Sequence, residues 1–258
     1  MKKENMPLYG VELYDKNQKP TTEGFENWIQ IKSTKKSSFL WQKEALLNIA
    51  ETLVPDYYQN IAWIDADIEF SDVLWKQKTI SLLDTYDIVQ LYKKAFWTGK
   101  NGEILKCLPA ICSLEDKNYP CHAGFAWAMK RKQWDKSKGL YDRCISGGGD
   151  GILARSFLGM EMLEFHNWGI GSNDKALKEW QSKLDSPSVS YLDCDIYHEY
   201  HGGMADRNYT ERKIKIKDVD LTRYVDLNKD GIFEWSDDID KEVINYAEEY
   251  FLKRKEDD

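Results

Sequence analysis

The sequence predicts an α/β domain with a mostly parallel sheet flanked by helices. Strand-like and helix-like segments alternate through the first two-thirds of the chain. Apolar residues recur at helical spacing between residues 39 and 54, and Ile61–Ile64 is a continuous apolar run, which is typical of a strand buried on both faces. A helix between two strands carries the chain back to the starting end of the sheet, so this alternation favours parallel pairing.

Each expected element has its own local pattern. Short apolar runs predict strands at Val11–Tyr14 and Trp28–Ile31, and apolar spacing predicts an amphipathic helix over Phe39–Val54. The remaining strands are expected within Asn60–Phe70, Asp87–Tyr92 and Phe125–Met129, and the remaining helices at Trp75–Tyr86, Asp150–Leu158 and Ile239–Phe251.

Length and charge limit the organisation and the classes of function. The chain has 258 residues and a net charge of −8, from 36 Lys+Arg and 44 Asp+Glu. General nucleic-acid binding is not expected, because it requires excess positive charge. A hydrophobic content of 42% excludes a disordered chain. We expect one main domain over residues 1–217, with an acidic turn and a helix over residues 218–258 packing on it.

Cysteine usage and the lack of targeting signals favour the cytoplasm. Five cysteines give an odd count without a Cys-x-x-Cys pair, so neither a disulfide framework nor a zinc knuckle is expected. No apolar run approaches the roughly 20 residues of a membrane helix, and no apolar segment follows the basic start to form a signal peptide. A membrane span is therefore not expected.

Two aspartates, Asp65 and Asp67, directly follow the apolar run. Ligands of open α/β sheets bind outside the carboxyl ends of the strands. Residues two apart project to the same side of an extended chain, and two close carboxylates repel each other unless a cation lies between them. Mg²⁺ and Mn²⁺ take such oxygen ligands, so the pattern indicates a metal and phosphate site. The alternative is a surface turn with two solvated aspartates.

Several segments resemble motifs of glycosyltransferases with the GT-A fold, in a phage and bacterial group that uses nucleotide sugars. Trp63–Asp67, with its Asp-x-Asp, is similar to the metal-binding motif of that family. Only 64 residues precede Asp65, so the first strand-helix unit of the family is expected to be missing or replaced by something short. The other similar segments are Trp41–Asn48, His122–Ala128, Ser146–Asp150, and Tyr197–Gly202 followed by Arg207, Tyr209 and Arg212.

The resemblance implies a GT-A-like Rossmann-type fold with a C-terminal extension. It implies transfer of a sugar from a nucleoside diphosphate to a hydroxyl of a glycan, a protein or a modified base, with Mn²⁺ or Mg²⁺ as cofactor. Asp150 would be the general base for that hydroxyl, and its position also suits a helix N-cap. The expected binding residues are Asp65, Asp67, Lys43, Arg207 and Arg212 for the donor, Gly148, Gly149 and Trp127 for the acceptor, and Asp67, Asp65 and His201 for the metal.

Three alternatives stay open at this point. The first is a non-catalytic nucleotide- or glycan-binding relative of the same fold. The second is a zinc hydrolase, which is disfavoured because His198 and His201 are three residues apart rather than four; a structural role is favoured for His198. The third is a calcium-binding interaction protein, because Asp226–Asp237 matches the first half of an EF-hand loop but ends in aspartate instead of glutamate.

Overall fold

A computed structural model describes residues 6–15, 17–116, 119–144, 146–162, 175–200 and 221–253. Within these ranges the chain is mixed α/β, with six helices and four small sheets. The helices are α1 (Lys43–Glu51), α2 (Trp75–Thr85), α3 (Arg131–Ser137), α4 (Gly149–Phe157), α5 (Lys175–Leu184) and α6 (Lys241–Lys253). The strands are β1 (Gly10–Tyr14), β2 (Trp28–Lys32), β3 (Asn60–Ile64), β4 (Ile68–Phe70), β5 (Ile88–Gln90), β6 (Lys94–Thr98), β7 (Ile104–Pro109), β8 (Ala126–Lys130), β9 (Val189–Tyr191), β10 (Asp195–His198), β11 (Val225–Leu227) and β12 (Phe233–Trp235).

The central sheet has the strand order β3-β8-β5-β9 and is mixed rather than mostly parallel. Strand β8 pairs antiparallel with both β3 and β5, and only β5 and β9 run parallel. The expectation of a mostly parallel sheet is therefore corrected. The reason is the connection from β5 to β8, which contains a hairpin and no crossover helix, so that the chain re-enters the sheet at the end where it left. The amide of Leu91, just after β5, accordingly bonds to the carbonyl of Ala126 at the start of β8.

A second sheet has the order β4-β10-β6-β7, and its strand β4 directly follows the two aspartates in the chain. The sequence predicted a strand within Asn60–Phe70. The chain forms two strands there and changes sheets between them, because β3 belongs to the central sheet and β4 to the second. The segment between these strands holds Asp65 and Asp67. Both aspartates therefore lie at the junction of two sheets.

Alternate residues of the central strands face two different cores. Ile61 and Trp63 of β3 pack into one core with side chains from α3, α4 and α5, whereas Ala126 and Ala128 of β8 pack into another with α2. Ala62, between two buried residues of β3, is exposed. The run was expected to be buried on both faces, and it is not, because the face that carries Ala62 borders a pocket lined by Met6, Trp75 and Thr79.

Two strands and a helix precede β3. Strands β1 and β2 confirm the two strands predicted from the local pattern. They form a parallel pair, and α1 follows them. The expected helices at Trp75–Tyr86, Asp150–Leu158 and Ile239–Phe251 are confirmed as α2, α4 and α6, with bounds shifted by one or two residues.

The C-terminal segment contacts the start of α1. Strands β11 and β12 form an antiparallel hairpin. The amide group of Gln42 is buried and makes two hydrogen bonds to the backbone of Phe233: Nε2 donates to the carbonyl at 2.8 Å, and Oε1 accepts from the N–H at 3.0 Å. The predicted domain boundary at residues 217 and 218 lies outside the described residues.

Two other expectations bear on the whole chain. None of the five cysteines, all of which lie in the described ranges, forms a disulfide. Among the helices of the described part of the chain, none combines the length and the apolar character needed to cross a membrane.

Candidate active site

The backbone at the end of β3 fixes both aspartates. The amide of Asp65 donates to the carbonyl of Phe125 at 2.8 Å, which extends the pairing of β3 with β8 by one residue. The carbonyl of Asp67 accepts from the amide of Glu199, directly after β10, at 2.9 Å. One aspartate is therefore tied to the central sheet and the other to the second sheet.

Lys43 joins Asp65 to Asp150. Its Nζ lies 2.8 Å from Oδ1 of Asp65 and 3.2 Å from Oδ1 of Asp150. Burial alone would lower the pKa of Lys43, but the charges of Asp150 and Asp65 outweigh it and raise the pKa above its usual value. Burial raises the pKa of Asp65, and the ammonium of Lys43 opposes that rise. Three residues from separate parts of the chain, all predicted site residues, thus form one charged cluster.

Asp150 belongs to the first turn of α4 and lies against the turn that leads into β8. Gly148 precedes the helix with a φ of 92°, a conformation that favours glycine. A Cβ atom at Gly124 would come within 2.7 Å of Oδ2 of Asp150 and 3.1 Å of Cε1 of His122. The two glycine-containing motifs singled out in the sequence therefore meet here. The side chain of Asp150 is 38% exposed, so it is accessible to a ligand.

Glu44, next to Lys43, is a member of this cluster that the sequence did not single out. Its side chain is 1% exposed and packs on the backbone of Gly149. Burial, followed by the charge of Asp150, raises the pKa of Glu44 to about 8. Glu44 is therefore mostly neutral at pH 7. A glutamate in the first turn of a helix is usually ionised and solvated, so this burial was not predictable from the local sequence.

Buried polar residues support the turn around Gly124. Nε2 of Gln90 donates to the hydroxyl of Tyr92 at 2.9 Å, and that hydroxyl lies 3.1 Å from Nδ1 of His122 and 3.0 Å from the carbonyl of Gly124. Burial lowers the pKa of His122 to about 3, so its imidazole is neutral at pH 7. The stacked ring of Phe125, 3.9 Å away between centroids, adds further cover. This network holds the surface on which Asp150 lies.

Asp67 lies beside His198. Nε2 of His198 is 3.3 Å from Oδ2 of Asp67, and the histidine side chain is 5% exposed. This geometry agrees with the structural role favoured for His198, because the buried imidazole helps to orient the carboxylate. It also places one nitrogen and one oxygen donor next to each other, a pairing that suits Mn²⁺.

The metal site expected from the sequence is only partly assembled in the described ranges. Asp65 is engaged by Lys43, and no group of three His, Cys, Asp or Glu side chains that could hold a metal occurs among the described residues. Asp67 and His198 fit two positions of such a site. His201, the expected third ligand, lies outside the described residues, as do Arg207 and Arg212.

Two of the acceptor residues need correction. Trp127 is 2% exposed, and its Nε1 donates to the carbonyl of Ala123 at 2.8 Å within the core of the central sheet. Its face is not available for stacking on a sugar, because alternation along β8 turns this residue inward. Gly149 is buried under Glu44, so an acceptor cannot approach it from that side. Gly148 is half-buried and stays a candidate.

The turn between β11 and β12 does not have the arrangement of a calcium loop. Oδ1 of Asn228 accepts hydrogen bonds from the amides of Asp230 and Ile232, at 2.9 and 3.3 Å. Its Nδ2 donates to Glu234, which also accepts from Thr34. Oxygens that a bound calcium would need are therefore used to close a hairpin.

The sequence was also compared with known proteins. Neither protein-family models nor proteins of curated function give a match.

Proposed function

We propose that the protein is a glycosyltransferase that moves a sugar from a nucleoside diphosphate to a hydroxyl acceptor. The observation that supports this most is the cluster at the end of β3, where Asp65, Lys43 and Asp150 meet within 3.2 Å and Asp67 lies two residues further on. The GT-A-like motifs of the sequence supply these four residues from three separate segments. A set of unrelated surface charges has no reason to converge in this way.

Within this proposal Asp67 binds the nucleotide-sugar donor through a metal ion. Mn²⁺ or Mg²⁺, when bound, supplies positive charge to the departing diphosphate. Asp67 and His198 are the described residues that would hold the ion, and His201 remains the expected third ligand. Asp65 serves as the partner of Lys43 rather than as a direct ligand. In the absence of any metal, Lys43 offsets one of the two negative charges of Asp65 and Asp150, which reduces the repulsion of an anionic donor.

Asp150 is the proposed general base. Its carboxylate is partly exposed, and Lys43 holds one of its oxygens. The other oxygen lies against Gly124, where a Cβ atom would come within 2.7 Å of it. A hydroxyl of the acceptor that approaches Asp150 can transfer its proton to this carboxylate as the new glycosidic bond forms.

A non-catalytic binding protein of the same fold is the second candidate. It is favoured by one observation: in the described ranges the cation next to Asp65 is a lysine, and only two metal donors lie together at Asp67. Such a protein would bind a nucleotide or a glycan without turnover.

Hydrolysis of the donor separates the two candidates without knowledge of the acceptor. Wild-type protein would be incubated with a panel of nucleoside-diphosphate sugars and Mn²⁺, and release of nucleotide would be followed. We expect turnover with at least one donor, and a loss of about 100-fold in Asp150→Asn, which is typical for removal of a general base. Glu69→Gln is the matched control, because Glu69 is exposed on β4. Saturable binding without turnover for any donor would favour the binding protein.

A further inference from the structure

Two consecutive residues of α1 contact the start of α4. Lys43 reaches the carboxylate of Asp150, and Glu44 lies against the backbone of the preceding residue, Gly149. The contact with Gly149 is so close that a Cβ atom there would lie 2.1 Å from Oε1 of Glu44. The position of α4, and with it the position of Asp150, is therefore set from α1 through both residues.

Packing alone does not account for a glutamate at this position. In the described ranges, Oε2 of Glu44 is buried and has no hydrogen-bond partner. A buried polar atom in this state is unfavourable, whereas a leucine of similar size would fill the space without that penalty. The charged groups that act on the carboxyl are Lys43 on the same helix, Asp150 on α4 and Asp65 after β3.

We propose that Glu44 is a positioning residue for Asp150, which supports Gly149 and so fixes where α4 begins and where the Asp150 carboxylate lies. The inference rests on the proposed function, because the position of Asp150 matters only if this residue takes part in transfer. Glu44 does not touch the substrate, since its side chain is 1% exposed.

The effect of Glu44 on Asp150 depends on whether the carboxyl of Glu44 is protonated. The neutral carboxyl adds no charge to a cluster in which one ammonium already faces two carboxylates. Since burial raises its pKa to about 8, ionisation above that pH places a third negative charge beside Asp150 and Asp65. That charge repels Asp150 and an anionic donor, so turnover should decline on the alkaline side.

Glu44→Gln and Glu44→Ala form a matched pair for the test, because glutamine keeps the shape and the neutral state of the side chain. Donor hydrolysis would be measured from pH 6 to pH 9.5. We expect Glu44→Gln to retain turnover near neutral pH and to lose the alkaline decline near pH 8. Glu44→Ala should lose kcat by about tenfold or more with the donor KM unchanged, because a displaced catalytic group costs rate rather than donor affinity. Full kcat in Glu44→Ala, or an unchanged alkaline decline in Glu44→Gln, would overturn the proposal.

Amide hydrogen exchange in the first turn of α4 gives a second readout that needs no activity. Exchange at Gly151 and Ile152 should be faster in Glu44→Ala than in wild type and unchanged in Glu44→Gln. If wild-type protein hydrolyses no donor, the proposed function fails while this measurement still tests the support of α4. Equal exchange in all three proteins would refute the positioning role.

Discussion

Replacing Lys43 by methionine removes the ammonium that lies between Asp65 and Asp150. Methionine keeps most of the length and the apolar stem of lysine, so the change isolates the charge. Two carboxylates are then left close together in a partly buried site, with side-chain exposures of 29% and 38%. We expect the variant to fold and to be less stable at neutral pH.

The magnitude follows from the two distances. Opposite charges about 3 Å apart attract by roughly 5–6 kcal/mol at an effective dielectric constant of 20. The cost of taking the ammonium out of water offsets part of this, and the partial exposure of both carboxylates weakens it further. The free energy of unfolding should therefore fall by about 2–4 kcal/mol, below the upper range for a fully buried pair that loses one partner.

The loss should depend on pH with a definite sign. Lys43 opposes the rise in the pKa of Asp65 that burial causes, so without Lys43 this pKa rises further. A carboxyl whose folded pKa is raised favours the folded state at low pH and loses that contribution as pH increases. The difference between Lys43→Met and wild type should therefore be small near pH 4 and reach its full size near pH 7.5.

Urea unfolding at both pH values measures this difference. Lys93→Met is the matched control, because Lys93 pairs with Asp193 at 2.9 Å but the two side chains are 42% and 79% exposed. The control should lose less than about 1 kcal/mol at either pH. A loss for Lys43→Met no larger than that of the control, or one that is equal at both pH values, would refute the assignment of Lys43 as the charge that holds the two carboxylates.

Three further variants test other parts of the site. Gly124→Ala places a Cβ atom 2.7 Å from Oδ2 of Asp150. Donor hydrolysis should therefore fall by about 10–100-fold while the circular dichroism spectrum stays unchanged. Turnover by Gly124→Ala at the wild-type rate would contradict this contact. Gln42→Ala removes two buried hydrogen bonds to Phe233, and urea unfolding should show a loss of about 2–4 kcal/mol; a loss under 0.5 kcal/mol would mean that the C-terminal hairpin is not held by Gln42. Burial raises the pKa of Glu44 from 4.5 to about 8. Wild type should therefore lose stability relative to Glu44→Gln as pH rises from 5 to 8.5, by at most about 5 kcal/mol in urea unfolding. A difference that stays constant over this range would show that Glu44 is ionised throughout.

Local patterns located about half of the helices and strands in the described ranges. Apolar spacing located α2 and α6, and the glycine run before Asp150 located the start of α4. The direction of β8 was not predictable in the same way. It depends on how the connection from β5 returns to the sheet, and nothing in the strand itself records that return.

The candidate site was predictable only in part. The position of Asp65 and Asp67 after an apolar run identified their chemistry, but the ion pair of Asp65 with Lys43 depends on how α1 packs, which no local spacing reveals. Burial of Glu44 was missed because the start of a helix ordinarily leaves such a side chain in water. Trp127 was predicted to contact the acceptor but lies in the core. The sequence does not distinguish a large aromatic residue that faces a ligand from one that faces the core.

A thermal-shift experiment tests whether Asp67 binds the nucleotide donor, and it requires no turnover. Wild type, Asp67→Ala and the control Glu69→Gln would be heated with nucleoside diphosphates and nucleoside-diphosphate sugars, each with and without Mn²⁺. A ligand at 100 times its Kd stabilises the folded state by about 2.7 kcal/mol. We expect an increase in Tm for wild type and Glu69→Gln that requires Mn²⁺ and one particular nucleotide, and no increase for Asp67→Ala. An equal increase in all three proteins, or none with any nucleotide, would contradict it.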